Sequence, residues 1–282
     1  MPETDYTITH PALRPFLVTR PGCEIHGWDA GPTTATTVIM HHGATADHRM
    51  FNAQVEPLLR AGFRVLTIDG RGHGQSRPML STPTIDDYVS DYLAILDDRS
   101  IERAVYLGQS LGAYVAQHAV TRAPERCLAL VVVGSTLISI PVSRVDSIGL
   151  RASITAFRLW PWTHLTRLTS TSTARQSDAR AYMAECLNSL GKHEFLRIWH
   201  AVNTAVSTAG FPALPPELAI LWTHGDHDRA GNIVRDIPAI LEQDLPKLEY
   251  HVIPHARHNA NQDNPGDFNA RLLTFLSGLP SA

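Results

Sequence analysis

Residues 104–120 read AVYLGQSLGAYVAQHAV, and the fold turns on how the middle of that stretch is read. A short buried-strand run, Ala104 to Gln109, leads into the pentapeptide Gly108-Gln109-Ser110-Leu111-Gly112. An Ala-rich helical pattern with Val115 and Val120 then leads on to Pro124. A G-x-S-x-G sequence between a strand and a helix forms a sharp turn that lifts the serine hydroxyl clear of a sheet. The glycines are required because such a turn brings the residues two before and two after the serine into contact. The bland alternative is a Gly-rich turn with an inert serine, and the rest of the chain bears on the choice.

Outward from this turn, residues 36–42, 63–69, 127–134, 219–225 and 248–254 are further short runs rich in β-branched residues, as in TTVIMHH and CLALVVVG. Near-continuous apolar runs without alternation predict strands buried on both faces, as in a parallel sheet covered by helices. Residues 50–60 place Phe51, Val55, Leu58 and Leu59 on one helical stripe. Residues 267–279 repeat Phe268, Leu272, Phe275 and Leu276 behind an Asn264 N-cap with Pro265 at the first helical position. Alternating strands and helices predict a doubly wound α/β domain, with an antiparallel edge hairpin around Phe16 and Trp28.

Residues 136–215 break the alternation. They hold helical patterns at 179–190 and 194–206 but no buried strand, so the predicted organisation is a core of 1–135 and 216–282 with a helical cap of 136–215 inserted. The Ser/Thr-rich section 163–177 is expected to be a mobile link inside that cap. Trp160, Trp162, Phe195 and Trp199 concentrate aromatic area there, with Phe157. They either form the cap's own core or line an apolar substrate site; Phe195 and Trp199, four apart, share a helical face.

The composition excludes several classes of partner. The chain has 282 residues, 44% apolar and 18% charged, with a formal charge of -3 and scattered Lys and Arg. No basic footprint for nucleic acid or an anionic membrane surface is visible, nor one for long anionic substrates. The polar start MPETDYTITHPALRPF lacks a secretion-type apolar region, and the expected compartment is the cytoplasm. Cys23, Cys127 and Cys186 lack C-x-x-C spacing and read as reduced core thiols. The segment HHGATADH, residues 41–48, lacks metal-site spacing, so neither a metal nor another cofactor is expected.

A serine attacks at neutral pH only with a base beside it and an acid that orients the base. After Ser110, the acid candidates are Asp226 and Asp228 behind the run 219–225, and the base candidates are His255 and His258 behind the run 248–254. Asp228 and His258 stand at the loop positions that suit the order serine, acid, histidine, just past strand ends where open α/β sheets place their crevice. The amide of Leu111 and that of Ala44, which follows the first parallel strand, are the candidate donors to an oxyanion.

His42-Gly43, the stretch Asp69-Gly-Arg-Gly-His-Gly-Gln-Ser76, Gly108 to Gly112, Gly225-Asp-His-Asp228 and His258 through Asn264-Pro265 together resemble the α/β-hydrolase superfamily in its lidded, single-domain, esterase-like branch. The resemblance implies the α/β-hydrolase fold and an acyl-enzyme on Ser110 formed from a carboxylic ester or lactone. A thioesterase or carbon–carbon bond hydrolase using the same residues is the enzymatic alternative, and a ligand receptor that keeps them is another. Relatives with an aspartate nucleophile are set apart by Ser110, and prolyl aminopeptidase-like members by Leu111, where they usually carry tryptophan. The D-G-R-G-H-G-Q-S stretch reads as scaffold. A small-molecule substrate, an apolar or medium-sized ester or lactone, is the expected partner, with self-association left open.

Overall fold

The computed structural model describes residues 4–229 and 233–279, so the first three residues of the N-terminal stretch lie outside it. Its strands are β1 (Arg14–Arg20), β2 (Cys23–Ala30), β3 (Thr37–His41), β4 (Arg64–Ile68), β5 (Ala104–Gln109), β6 (Cys127–Val133), β7 (Ala219–Gly225) and β8 (Leu248–Ile253). Interleaved with them are the helices α1 (Asn52–Arg60), α2 (Ile85–Asp98) and α3 (Leu111–Arg122). Then come α4 (Arg144–Leu159), α5 (Trp162–Thr173), α6 (Ser177–Thr204), α7 (Ile233–Leu241), α8 (Ala260–Asp263) and α9 (Pro265–Ser277).

The eight strands form one sheet in the order β1-β2-β4-β3-β5-β6-β7-β8. The pairs β1/β2 and β2/β4 are antiparallel and the rest parallel, so the N-terminal hairpin is the edge that the sequence suggests. Each of the six apolar runs is a strand to within one residue at either end. β3 to β6 are buried almost throughout because helices cover both faces, whereas the terminal strand β8 is only partly buried.

Side chains alternate between two cores. Ile39, Leu66, Tyr106 and Trp222 face one that includes α2 and α3, and Met40, Val65, Leu107 and Leu221 face another that includes α1 and α9. At roughly 25 cal/mol per Å² of apolar surface removed from water, these two faces are the main source of stability. Helix α2 escapes the sequence reading although Thr84 and Asp87 form a capping box at its start.

After β3 the chain passes to β4 on one side and then crosses to β5 on the other. The reversal lies between β3 and β5, which is where a doubly wound sheet opens its crevice. Register aligns His41 with Gly108, Gln109 with Val133 and Val133 with Thr223, so the loops after β3, β5, β6 and β7 leave from one edge.

Helices α4, α5 and α6 are inserted between β6 and β7, inside the stretch 136–215. The Ser/Thr-rich section is not a free link. Residues 162–173 are helix α5, in which Thr171 and Thr173 donate their hydroxyls to the carbonyls of Arg167 and Thr169 at 2.7 and 2.8 Å. Such bonds back to the preceding turn let hydroxyl residues sit in a helix that their turn propensity disfavours. The two helical patterns expected at 179–190 and 194–206 merge in α6, which kinks at Gly191, φ 75°. No helix among the described residues is long and apolar enough to cross a membrane.

Candidate active site

Ser110 is the hinge between β5 and α3, with φ 51° and ψ -113°. A left-handed backbone at a residue with a Cβ costs about 1–3 kcal/mol and persists only where the surroundings impose it. The surroundings are visible. The Ser110 amide donates to the Val133 carbonyl at 2.9 Å, and its own carbonyl accepts from the amides of Ala113 and Tyr114 at 3.0 and 3.1 Å. A Cβ on Gly108 would overlap the Gly112 carbonyl, and one on Gly112 would overlap the carbonyl oxygen of His41. Both glycines are therefore obligatory for close packing of strand, turn and helix. Ser110 itself stays partly exposed.

His258 Nδ1 lies 3.0 Å from Asp228 Oδ2. A carboxylate only accepts, so Nδ1 carries the proton and Nε2 is left as the basic nitrogen. Both residues are buried, at 8% and 4% exposure. Their rivals do other work. Asp226 accepts the amides of His255 and Ala256 at 2.9 and 3.0 Å, and His255 is an exposed turn residue with φ 58°.

Gly134, directly after Val133, lies under the His258 ring: a Cβ there would come within 3.0 Å of Nδ1 and 3.2 Å of Cε1. Ser110 is bonded to Val133 and His258 rests on Gly134, so both residues are anchored at the end of β6. Gln109 adds a second tie, its Nε2 donating to the His258 carbonyl at 3.2 Å. That role is invisible in the motif, where the position before the serine is unrestricted.

The loop after β3 closes the other side. A Cβ on Gly43 would meet the Gln109 side chain and lie 3.3 Å from Ser110 Cβ, so this loop runs beside the serine. The Gly70 amide donates to His42 Nε2 at 2.9 Å, which leaves Nδ1 protonated and donating to the Gly43 carbonyl at 2.7 Å. That carbonyl and the Ala44 amide belong to one trans peptide unit, so anchoring the oxygen turns the N–H the opposite way. His73 Nε2 lies 2.8 Å from the Ala44 carbonyl. Burial, with neighbouring histidines adding to it, holds His42 well below the ordinary histidine range, and burial lowers His73 as well. Neither Ala44 nor Leu111 donates its amide to an acceptor among the described residues.

The Asp69–Ser76 stretch is scaffold, as its glycines suggest. Ser76 Oγ donates to the Asp69 carbonyl at 2.7 Å, and Arg71 makes a two-pronged pair with Asp91 at 2.7 and 2.9 Å. His73 meets its local backbone, with Nδ1 3.0 Å from the Arg71 carbonyl, and its Nε2 also reaches across to the loop of Ala44. Among the described residues, Asp47, His48 and Asp69 bring donor atoms within 4.8 Å of one another. Each is already engaged: Asp47 with Arg49 at 2.7 Å, and His48 with Asp69 and Thr9 at 2.8 Å each. The three cysteines are buried and not disulfide-bonded.

Of the cap aromatics, Phe195 is buried and lies 5.6 Å from Trp162 and 5.8 Å from Trp199 by ring centroid, with Phe157 5.2 Å from Trp199. Trp199 Nε1 donates to Ser153 Oγ at 2.7 Å. These residues form a small core joining α4, α5 and α6, whereas Trp160 is 44% exposed at the turn between α4 and α5. A groove of about 370 Å³ runs between Thr4–Thr7 and α6 without reaching Ser110 or His258.

The sheet order, the strained turn and the paired histidine at one edge define a hydrolase of the α/β class. More particularly, the chain belongs to the family described as serine aminopeptidase, S33, whose sequence profile it matches over residues 32–264. It is 27% identical over 267 residues to a 2-hydroxy-6-oxononadienedioate/2-hydroxy-6-oxononatrienedioate hydrolase of Pseudomonas putida, spanning 90% of this chain and 91% of that enzyme. It is also 32% identical over 110 residues to a bifunctional esterase/perhydrolase of Acinetobacter calcoaceticus, a match that spans 39% of this chain and only 40% of that enzyme. A thermophilic esterase from Thermogutta terrifontis superposes with a TM-score of 0.79 at 20% identity, covering 94% of this chain and 98% of that one, which speaks to the fold alone.

Proposed function

We propose that this protein is a serine hydrolase that cleaves a small carboxylic ester or lactone through an acyl-enzyme on Ser110. The observation that carries the reading is the left-handed backbone of Ser110 at the strand-to-helix turn, a strain that a merely structural serine gives no reason to keep.

In this mechanism Ser110 Oγ attacks the carbonyl carbon while its proton passes to His258 Nε2, and Asp228 holds the ring so that Nε2 faces the serine. The amides of Ala44 and Leu111 stabilise the oxyanion, worth about 3–4 kcal/mol per donor in such sites. Collapse of the intermediate expels the alcohol, which leaves with the proton from His258. Water then attacks the acyl-enzyme with His258 again as base, releasing the acid and freeing Ser110. No cofactor enters. The helices of 136–215 act as a cap over the crevice, and Trp162, Phe195 and Trp199 shape it through the cap's own core, with Trp160 exposed at its α4–α5 turn.

A carbon–carbon bond hydrolase with the same residues is the second reading. It is favoured by the near full-length similarity to the Pseudomonas putida enzyme.

The test is a panel of p-nitrophenyl esters from acetate to decanoate, simple lactones, a 2-hydroxy-6-oxo-dienoic acid and an aminoacyl p-nitroanilide, run with wild type and Ser110→Ala. A fluorophosphonate probe reads the nucleophile directly. Labelling at Ser110 with ester or lactone turnover, both lost in the variant, supports the proposal. Turnover of the dienoic acid alone supports the second reading, and a folded protein that is neither labelled nor active overturns both.

A further inference from the structure

The loop that carries His258 is gripped by the helical insertion on both sides of the histidine. The Arg257 amide donates to Asp263 Oδ2 at 2.8 Å, and the Arg257 guanidinium donates to the Thr171 carbonyl. The Asn259 amide donates to the Thr173 carbonyl at 2.8 Å. The other oxygen of Asp263 accepts two amides from the insertion, Arg175 at 2.7 Å and Gln176 at 2.9 Å, and Gln176 Nε2 returns to the Asp263 carbonyl at 3.2 Å.

Helix α5 ends at Thr173 and α6 starts at Ser177, so this corner exposes the carbonyls of one helix end and the amides of another. The histidine loop serves both. Arg257 and Asn259 meet the carbonyl end and Asp263 the amide end, each charged group matching the partial charge of the terminus it touches. Asp263 is 3% exposed, and a carboxylate this deep is tolerable only because its bonds replace water. Burial pushes its carboxyl up, and the amides of Gln176, Arg257 and Arg175 draw it only part of the way back.

We infer that Asp263 is a positioning residue for His258: by holding the Arg257 amide with one oxygen and the Arg175 and Gln176 amides with the other, it locks the loop of the base to the α5–α6 corner. The inference rests on His258 being the base of the proposed reaction. From the core side, Gln109 holds the His258 carbonyl, Asp228 the ring, and Asp226 the amides of His255 and Ala256, while Asp263 ties the backbone just before the histidine to the insertion. A base displaced by about 1 Å loses about 100-fold in rate. The sheet does not depend on the clamp, which separates a positioning effect from unfolding.

The experiment compares wild type with Asp263→Asn and Gln176→Pro. The second variant leaves Asp263 intact; residue 176 has φ -69°, which suits proline, and loses only its side chain's bond and the N–H that Asp263 accepts. The readouts are the rate of fluorophosphonate labelling at Ser110, kcat and KM on the best ester, amide hydrogen exchange over residues 255–263, and the thermal melt. The expected result is a cooperative melt, faster exchange in that segment, labelling rate and kcat both down about 10- to 100-fold, and KM within about twofold of wild type. Unchanged labelling and kcat in the folded variants would overturn the inference. If Asp263→Asn fails to fold, Gln176→Pro decides. Wild type that is itself unlabelled removes His258 as a base, and the positioning role goes with it, a failure distinguishable because it shows without any variant.

Discussion

The nitrogen Nδ1 of His258 sits 3.0 Å from Oδ2 of Asp228, while Asp226, two residues earlier, spends its carboxylate on backbone amides of the histidine loop. The two acids should therefore part in a mutational test. Asp228→Asn keeps the shape but offers an amide that permits the wrong imidazole tautomer, and kcat should fall about 10⁴-fold with little change in melting temperature. Asp226→Asn should leave turnover close to wild type and lower the melting temperature slightly. Ester turnover and thermal melts of both proteins check the pair, and an inactive Asp226→Asn beside an active Asp228→Asn would reverse the assignment.

The strain at Ser110 predicts a stability effect opposite in sign to the catalytic one. Ser110→Gly removes both the hydroxyl and the left-handed penalty, so it should be inactive yet more stable than Ser110→Ala by about 1 kcal/mol. Urea midpoints of the two variants measure the difference. Equal midpoints would mean that the turn is not strained.

Glycines of the fold should respond according to what faces them. Gly112→Ala drives a Cβ into the His41 carbonyl, backbone against backbone in the centre of the sheet, and should cost about 3 kcal/mol or prevent folding. Gly149, inside α4, has nothing within 4 Å of its missing side chain. Gly149→Ala should instead stabilise the protein by about 0.5–1 kcal/mol, through the lower helix propensity of glycine. Chemical denaturation of both variants provides the comparison.

Acid should weaken the protein through the histidines beneath the Ala44 loop. Burial lowers His41 to about 4 and depresses His42 and His73 too, whereas unfolded histidine titrates near 6.5. Above about pH 6.5 both states are neutral and the full stability is present. As the pH falls from there towards 4, the unfolded chain takes up protons that the folded one refuses, and stability drops. For His41 alone the loss amounts to about 3 kcal/mol. Urea midpoints at pH 7.5, 6 and 5 should decline steadily, and a flat profile would contradict neutral, buried rings.

Much of the architecture was legible in the chain because the relevant signals are local. β-branched runs become strands wherever helices cover both faces, so residues 104–109 and 219–225 could be read to the residue. Gly108, Ser110 and Gly112 spell the turn because only that spacing of glycines lets strand and helix touch. Helix α5 was misjudged for the same kind of reason: serine and threonine favour turns locally, but here their hydroxyls bond back into the helix and Arg257 and Asn259 complete its end.

By itself the sequence determined the class of sheet and the glycine-spaced turn at Ser110, because each follows from contacts between residues a few positions apart. It left Asp226 against Asp228 and His255 against His258 as choices of loop position, and it assigned no distant partner to the side chains of Gln109, His42, His73 or Asp263. Only the tertiary structure decided those. Asp263 and Arg175 are separated by 88 positions, and Gln109 and His258 by 149, and a bond across such a gap depends on how the strands are ordered and how the insertion packs. Short-range patterning specifies elements through steric and hydrogen-bonding rules that any segment obeys, whereas the aim of a side chain at an active edge is set by every element that converges on it.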